Sequence, residues 1–126
     1  MKRMLIDIGG LRADLDAAYL DILAVYADDS SWTRAFHKAR AWLRGIALIP
    51  YDQERNTILL PSNTHRERVY VVGDHCECEA FTHGRACWHR AVWILIERAL
   101  QRYANRRLAE AIDGIREWYD DPPDRS

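Results

Sequence analysis

Leu11, Leu15, Ala18, Tyr19, Ile22, Val25 and Tyr26 recur at steps of three and four residues, which places them on one face of a helix over about residues 10–27. Asp28-Asp29-Ser30-Ser31 then ends that helix and supplies N-cap groups for a second one, read from Trp32, Ala35, Phe36, Ala39, Trp42 and Leu43 with Gly45 as its stop. The opposite face of this second helix carries Arg34, His37, Lys38, Arg40 and Arg44 without an acid. Residues 1–45 are therefore expected to form an N-terminal helical hairpin.

The pattern changes at Ile46. Tyr51 to Asn56 reads as a polar turn, while Thr57-Ile58-Leu59-Leu60 and Val69-Tyr70-Val71-Val72 are rich in the β-branched and aromatic residues that suit paired strands. Pro61 to Glu67 between them reads as a loop. Further on, Trp93, Ile96, Leu100, Ala104, Leu108, Ala111, Ile115 and Trp118 keep a spacing near 3.6, which predicts a long amphipathic helix over about 88–119, with a break expected, if anywhere, near Asn105 or Gly114. Asp120-Asp121-Pro122-Pro123 ends it and opens an acidic tail, 120–126.

These elements predict an α+β fold: a helical hairpin, a small antiparallel sheet and a long C-terminal helix. With 126 residues and 48% hydrophobic content, one core over 1–126 is the expectation. No apolar run reaches the roughly 18 residues needed to span a bilayer. Asp7 and the Gly9-Gly10 pair interrupt the apolar stretch near the start, so no secretory signal is expected and the location is read as cytoplasmic.

The formal net charge is only −1, which excludes a globally basic nucleic-acid binder, but the charge is segregated. Residues 1–30 carry −3, residues 31–109 carry +6, and residues 110–126 carry −4. The acidic ends could fold against the basic middle, or leave a basic face open to a partner. Of the 18 basic side chains 16 are Arg, the residue better suited to phosphate forks.

All three cysteines lie within twelve residues, as Cys76-Glu77-Cys78, eight residues, then Cys87-Trp88-His89. Three thiols cannot be satisfied in pairs, and a reducing compartment disfavours disulfides. One zinc ion accounts for all three, since three thiolates and one imidazole form a standard closed set. Cys76 and Cys78 point the same way on an extended backbone, and the loop with Gly84 returns Cys87 and His89 to them. For the fourth ligand His89 ranks ahead of His83 and His75. With four protein ligands no coordination position remains for water or substrate, so the zinc is expected to be structural. No spacing joins the remaining Ser, His and Asp residues into a catalytic mechanism, so the chain is not expected to be an enzyme.

This spacing resembles the SWIM zinc-finger family, whose motif is Cys-x-Cys, a variable loop and Cys-x-His. The resemblance covers residues 57–96, and includes the entering strand Val69–Val72, Phe81, Gly84 in the loop, and the apolar helix start Ala91-Val92-Trp93-Ile94-Leu95; Leu59-Leu60-Pro61-Ser62 looks like the preceding strand. Residues 97–119 then continue the helix. Trp88 stands where the family has a basic residue, and Glu79 where proline is common. The resemblance implies a ββα zinc-finger core and association with DNA-related proteins or with protein partners.

Two uses follow. The first is recognition of DNA or another nucleic acid, in support of DNA processing. Arg98, Arg102 and Arg106 fall at i, i+4 and i+8 along the face of the long helix expected to be exposed, and Arg66, Arg68, Arg85 and Arg90 extend the candidate surface. The second is a protein–protein adaptor without direct nucleic-acid contact, using the finger and surface aromatics, with Trp88 and Trp118 as surface candidates and Trp32, Trp42 and Trp93 as core.

Overall fold

The computed structural model describes residues 3–62 and 67–120. The fold is α+β: a four-stranded antiparallel sheet of order β1-β2-β3-β4, a helical pair, and a long C-terminal helix. The elements are β1 (Arg3–Asp7), α1 (Arg12–Val25), α2 (Ser30–Arg44), β2 (Leu48–Asp52), β3 (Thr57–Pro61), β4 (Val69–Val72), the single turn α3 (Glu79–Thr82) and α4 (Trp88–Asp120). A 3-10 turn, Gly9–Leu11, leads into α1. Among the described residues no helix is long and apolar enough to cross a membrane.

The helical pair forms as the periodicity predicts. Asp29 caps α2 by accepting the Trp32 amide at 3.2 Å, and α2 ends at Gly45. The region before α1 differs from expectation, because it begins with a strand. Met4 and Leu5 face out while Ile6 and Ile8 are buried, and β1 pairs with β2 in the register Leu5↔Pro50 and Ile6↔Ile49. Five residues carry too short an alternation to be distinctive, and the pairing partner lies beyond both helices.

The second correction is β2 itself. Tyr51 and Asp52, read as turn, belong to the strand, and the turn proper lies between Asp52 and Thr57. Asp52 Oδ1 accepts the amides of Glu54 and Arg55 at 3.0 and 3.2 Å, and Asn56 takes the left-handed conformation at φ 53°. Proline disguised the strand. Pro50 is nevertheless tolerated, since β2 pairs with β3 only at Tyr51 and Asp52, so no β3 partner asks for an N–H at Pro50.

The core joins the buried face of the sheet (Ile6, Ile49, Ile58, Leu60, Val72) to the helices, with Ala91, Val92, Trp93, Leu95, Ile96 and Ala99 of α4 in between. Trp93 is buried and stacks on Tyr51 of β2 at 6.2 Å between ring centres. Trp32 and Trp42, expected in the core, are half-buried at its rim, as is Trp88, while Trp118 is exposed. The helix α4 runs 33 residues with no break at Asn105 or Gly114.

The acidic N-terminal segment folds against the basic middle. Asp14 meets Arg106 at 3.0 Å, Asp16 meets Arg40 at 3.3 Å, and Asp21 meets Arg102 at 2.9 Å. Of these acids only Asp14 is buried, so the other two pairs fix orientation more than they add stability.

A candidate metal centre and the basic cleft beside it

The chain leaves β4 at Val72 and turns sharply at Gly73, whose amide donates to the His75 carbonyl at 3.1 Å. A side chain at Gly73 would meet Thr57 Cγ2 at 3.0 Å and the Asn56 carbonyl at 3.3 Å, so the close crossing over the β2–β3 turn depends on this glycine. Cys76 and Cys78 follow, both buried, with the exposed Glu77 between them. That alternation is what an extended Cys-x-Cys segment gives.

The eight residues expected as loop contain α3. The Thr82 amide and hydroxyl both donate to the Cys78 carbonyl, at 3.0 and 2.7 Å, and the Phe81 amide points at Cys78 Sγ at 3.5 Å. Gly84, with φ 71°, then reverses the chain. Replacing Gly84 by Ala is expected to cost about 1–2 kcal/mol of holo-protein stability, because a Cβ is unfavourable in the left-handed region; a zinc-saturated urea melt measures it. Nothing lies within 4 Å of the site of that Cβ, so the cost comes from the backbone alone.

Cys87 is the N-cap of α4, its carbonyl accepting the Ala91 amide at 3.0 Å, and His89 lies in the first turn. The donor atoms of Cys76, Cys78, Cys87 and His89 all lie within 4.8 Å of one another and all four residues are buried. Cys78 Sγ is 3.0 Å from Cys87 Sγ, and Cys87 Sγ is 3.8 Å from His89 Nδ1. Zinc–sulfur bonds of about 2.3 Å in a tetrahedron imply donor separations of roughly 3.7 Å, which these distances bracket. No disulfide joins the cysteines. His83 and His75, ranked behind His89, are exposed, and His75 stands edge-on to Phe81.

The imidazole is oriented for this task. His89 Nε2 donates to the Pro61 carbonyl at 2.9 Å, which fixes the tautomer and leaves Nδ1, the atom facing the sulfurs, as the free ligand. Trp88 stacks on the ring at 4.2 Å and Tyr70 meets it edge-on at 5.2 Å. The Pro61 carbonyl is a supporting group the sequence gives no sign of, since it belongs to β3, 28 residues away.

Electrostatics ask for a cation here. Hydrogen bonding from Cys76, helped by His89 and Cys78 and by the Arg90 amide at the start of α4, lowers Cys87 to about 4. The Cys76 thiol is pushed up, first by its hydrogen bond to Cys87 and then by burial, and Cys78 is pushed up by burial and then by Cys87. One negative charge is thus shared among three sulfurs, and the others ionise only if a positive ion joins them. The set could hold a metal ion, and three sulfurs with one nitrogen suit zinc. With four protein donors such an ion would cross-link β4, the turn and α4, and would offer no open position for chemistry.

The candidate arginines meet different surroundings. Arg102 and Arg106, expected along an exposed face, are exposed, and each is paired with an acid of α1, Asp21 and Asp14 respectively. Arg98 is exposed, and Arg107 pairs with Glu110 at 3.2 Å. Arg90 donates to the Gly73 carbonyl and so ties α4 to the end of β4. Arg66 lies outside the described residues.

Arg68 and Arg85 share a cleft of about 930 Å³ beside the cysteine–histidine cluster with Arg34 and Lys38 of α2. Its wall also includes Trp32, Tyr70 and Trp88, and its acids are Asp29 and Glu77. Lys38 lies over the Trp88 ring at 5.2 Å. Arg34 and Lys38 were absent from the sequence-derived candidate surface. The acid-free face of α2 was their signal, and only the packing of α2 against the cysteine turn gave it a direction.

The chain matches no protein-family model, no curated protein and no solved structure.

Proposed function

We propose that this chain is a SWIM-like structural zinc protein that recognises DNA, or another nucleic acid, through the cleft between α2 and the zinc centre, as an accessory to DNA processing. The observation that carries the reading is the convergence of Arg34, Lys38, Arg68 and Arg85, from three separate stretches of the chain, on one cleft. Four cations against two acids suit a phosphate backbone. Zinc acts at a distance, by holding the Arg85 turn and the Tyr70 strand opposite α2. It supplies structure and no reaction step.

Backbone contacts of this kind predict a steep salt dependence. If all four cations meet phosphates of duplex DNA, affinity falls by roughly 100-fold between 50 and 200 mM salt. Titration of short DNA and RNA duplexes and single strands against the zinc-loaded chain measures this. Arg34→Glu with Lys38→Glu is expected to weaken binding at least about tenfold and to flatten the salt slope. Arg98→Glu with Arg102→Glu should do less, because Arg102 is committed to Asp21. If the second pair proves dominant, the surface is the long helix; no binding to any of these probes at low salt removes the nucleic-acid reading and leaves the adaptor role.

A further inference from the structure

Three aromatic rings share the wall of the cleft with its four cations: Trp32 of α2, Tyr70 of β4 and Trp88 of α4, all half-buried. Each is braced by the fold behind it. Trp32 packs on Tyr26 and Phe36 at 5.8 and 5.7 Å between ring centres, Tyr70 meets His89 edge-on at 5.2 Å, and Trp88 stacks on His89 at 4.2 Å. Lys38 lies over the Trp88 ring at 5.2 Å, so a cation and a ring stand together, and the ring's cover is a flexible chain free to turn to a phosphate.

The cations keep their charge for a ligand. Among the described residues Arg40, Arg102, Arg106 and Arg107 are ion-paired, whereas Arg34, Lys38, Arg68 and Arg85 are not, and all four of these are exposed. Of the two acids in the wall, Asp29 is engaged as the cap of α2, accepting the Trp32 amide at 3.2 Å.

Shape then separates two forms of nucleic acid. A duplex shows its base edges inside grooves, which a protruding helix or ribbon enters; these cations and rings line a concavity, which cannot. A duplex also keeps its base faces stacked on one another, so the three rings would meet only sugar and phosphate. An unpaired strand offers phosphates and base faces together, and a positive groove lined with aromatic platforms is the combination that suits it. A cleft of about 930 Å³ takes a short run of nucleotides and not the body of a duplex.

We propose that the cleft binds an unpaired strand, its bases laid on Trp32, Tyr70 and Trp88 and its phosphates held by the four cations around them. This ligand class rests on the nucleic-acid reading of the same cleft and narrows it. In anisotropy titrations of the zinc-loaded chain, labelled oligothymidylate of about 12 nucleotides is expected to bind at least about tenfold tighter than a hairpin duplex of the same length in the same salt, and to quench tryptophan fluorescence. Oligouridylate is run beside it against an RNA hairpin, and preference for either single strand over its duplex meets the expectation. Trp32→Leu and Trp88→Leu should each weaken strand binding about 5- to 100-fold at every salt concentration without changing the salt slope, because stacking releases no counterions. One zinc per chain is the folding control, and Trp32→Phe, which keeps a ring, should recover most of the affinity. Duplex binding as tight as strand binding, or strand affinity indifferent to both leucine variants, overturns the proposal while the nucleic-acid reading stands. No binding to either form at low salt overturns both.

Discussion

Chelation of zinc is expected to unfold the finger and to destabilise the rest of the chain with it. Between Gly73 and Cys87 the backbone has one helical turn and a few local hydrogen bonds, while Cys76, Cys78 and Cys87 are themselves members of the main core. Structural zinc contributes on the order of 10 kcal/mol at neutral pH, as large as the whole net stability of an ordinary domain. Protein purified without chelator should contain one zinc per chain. Excess chelator should abolish the near-ultraviolet circular dichroism of Trp88 and Trp93 and lower the melting temperature by tens of degrees. Cys87→Ser and His89→Ala should each reproduce most of the effect. Well under one zinc per chain, or a melt that ignores the chelator, would remove the metal assignment.

Acid should act in the same direction, and the sign follows from the thiols. Cys87 is lowered to about 4, chiefly by the Cys76 hydrogen bond, only in the folded finger, and without metal the unfolded finger returns it to the ordinary thiol range of about 8.5. Cys76 and Cys78, pushed up even in the folded chain, are protonated as well, so all three thiols give up a proton when zinc binds and the finger folds. Three protons released per ion mean an apparent zinc affinity that falls about 1000-fold for each pH unit lost below the thiol range, measured by competition with a metal indicator between roughly pH 8 and 7. The holo-protein is therefore less stable as pH falls through this window.

The other large effect is expected from Trp93→Ala, which should cost about 3–5 kcal/mol in a urea melt of the zinc-loaded chain. Trp93 is 2% exposed and stacks on Tyr51, so truncation leaves a cavity between α4 and the sheet at a place where neither backbone can close it. The same contact positions the start of α4, which carries Cys87 and His89, against the sheet, whose β3 strand ends at the Pro61 carbonyl that orients His89. Zinc affinity should fall together with stability, since folding and binding are linked. Trp93→Phe should recover most of both. A loss below about 1 kcal/mol would mean that α4 does not depend on this docking contact.

The candidate metal set was legible because its chemistry is local. Cys76, Cys78, Cys87 and His89 lie within fourteen residues, and an odd number of thiols beside a histidine is the pattern of a closed metal shell. The helices were legible because their periods run over many residues. The strands β1 and β2 were harder, since five residues of alternation are easily missed and Pro50 sits inside one of them. The arginines could not be sorted in advance. Arg102 and Arg68 look alike in a sequence, yet one is held by Asp21, 81 residues away, and the other lines an open cleft.

By itself, then, the sequence determined what depends on near neighbours: two amphipathic helices and a long third, the β-rich middle, and a closed set of three sulfurs and one nitrogen. Only the tertiary structure decided which charges remain free. Folding α1 onto α4 joins acidic residues to basic ones far along the chain, so the +6 surplus of residues 31–109 is partly neutralised internally. Packing α2 beside the cysteine turn gathers Arg34, Lys38, Arg68 and Arg85 into one cleft. The reason is physical: a helix period names a face, but what covers that face is set by long-range packing, and the strength of a charge depends on what covers it.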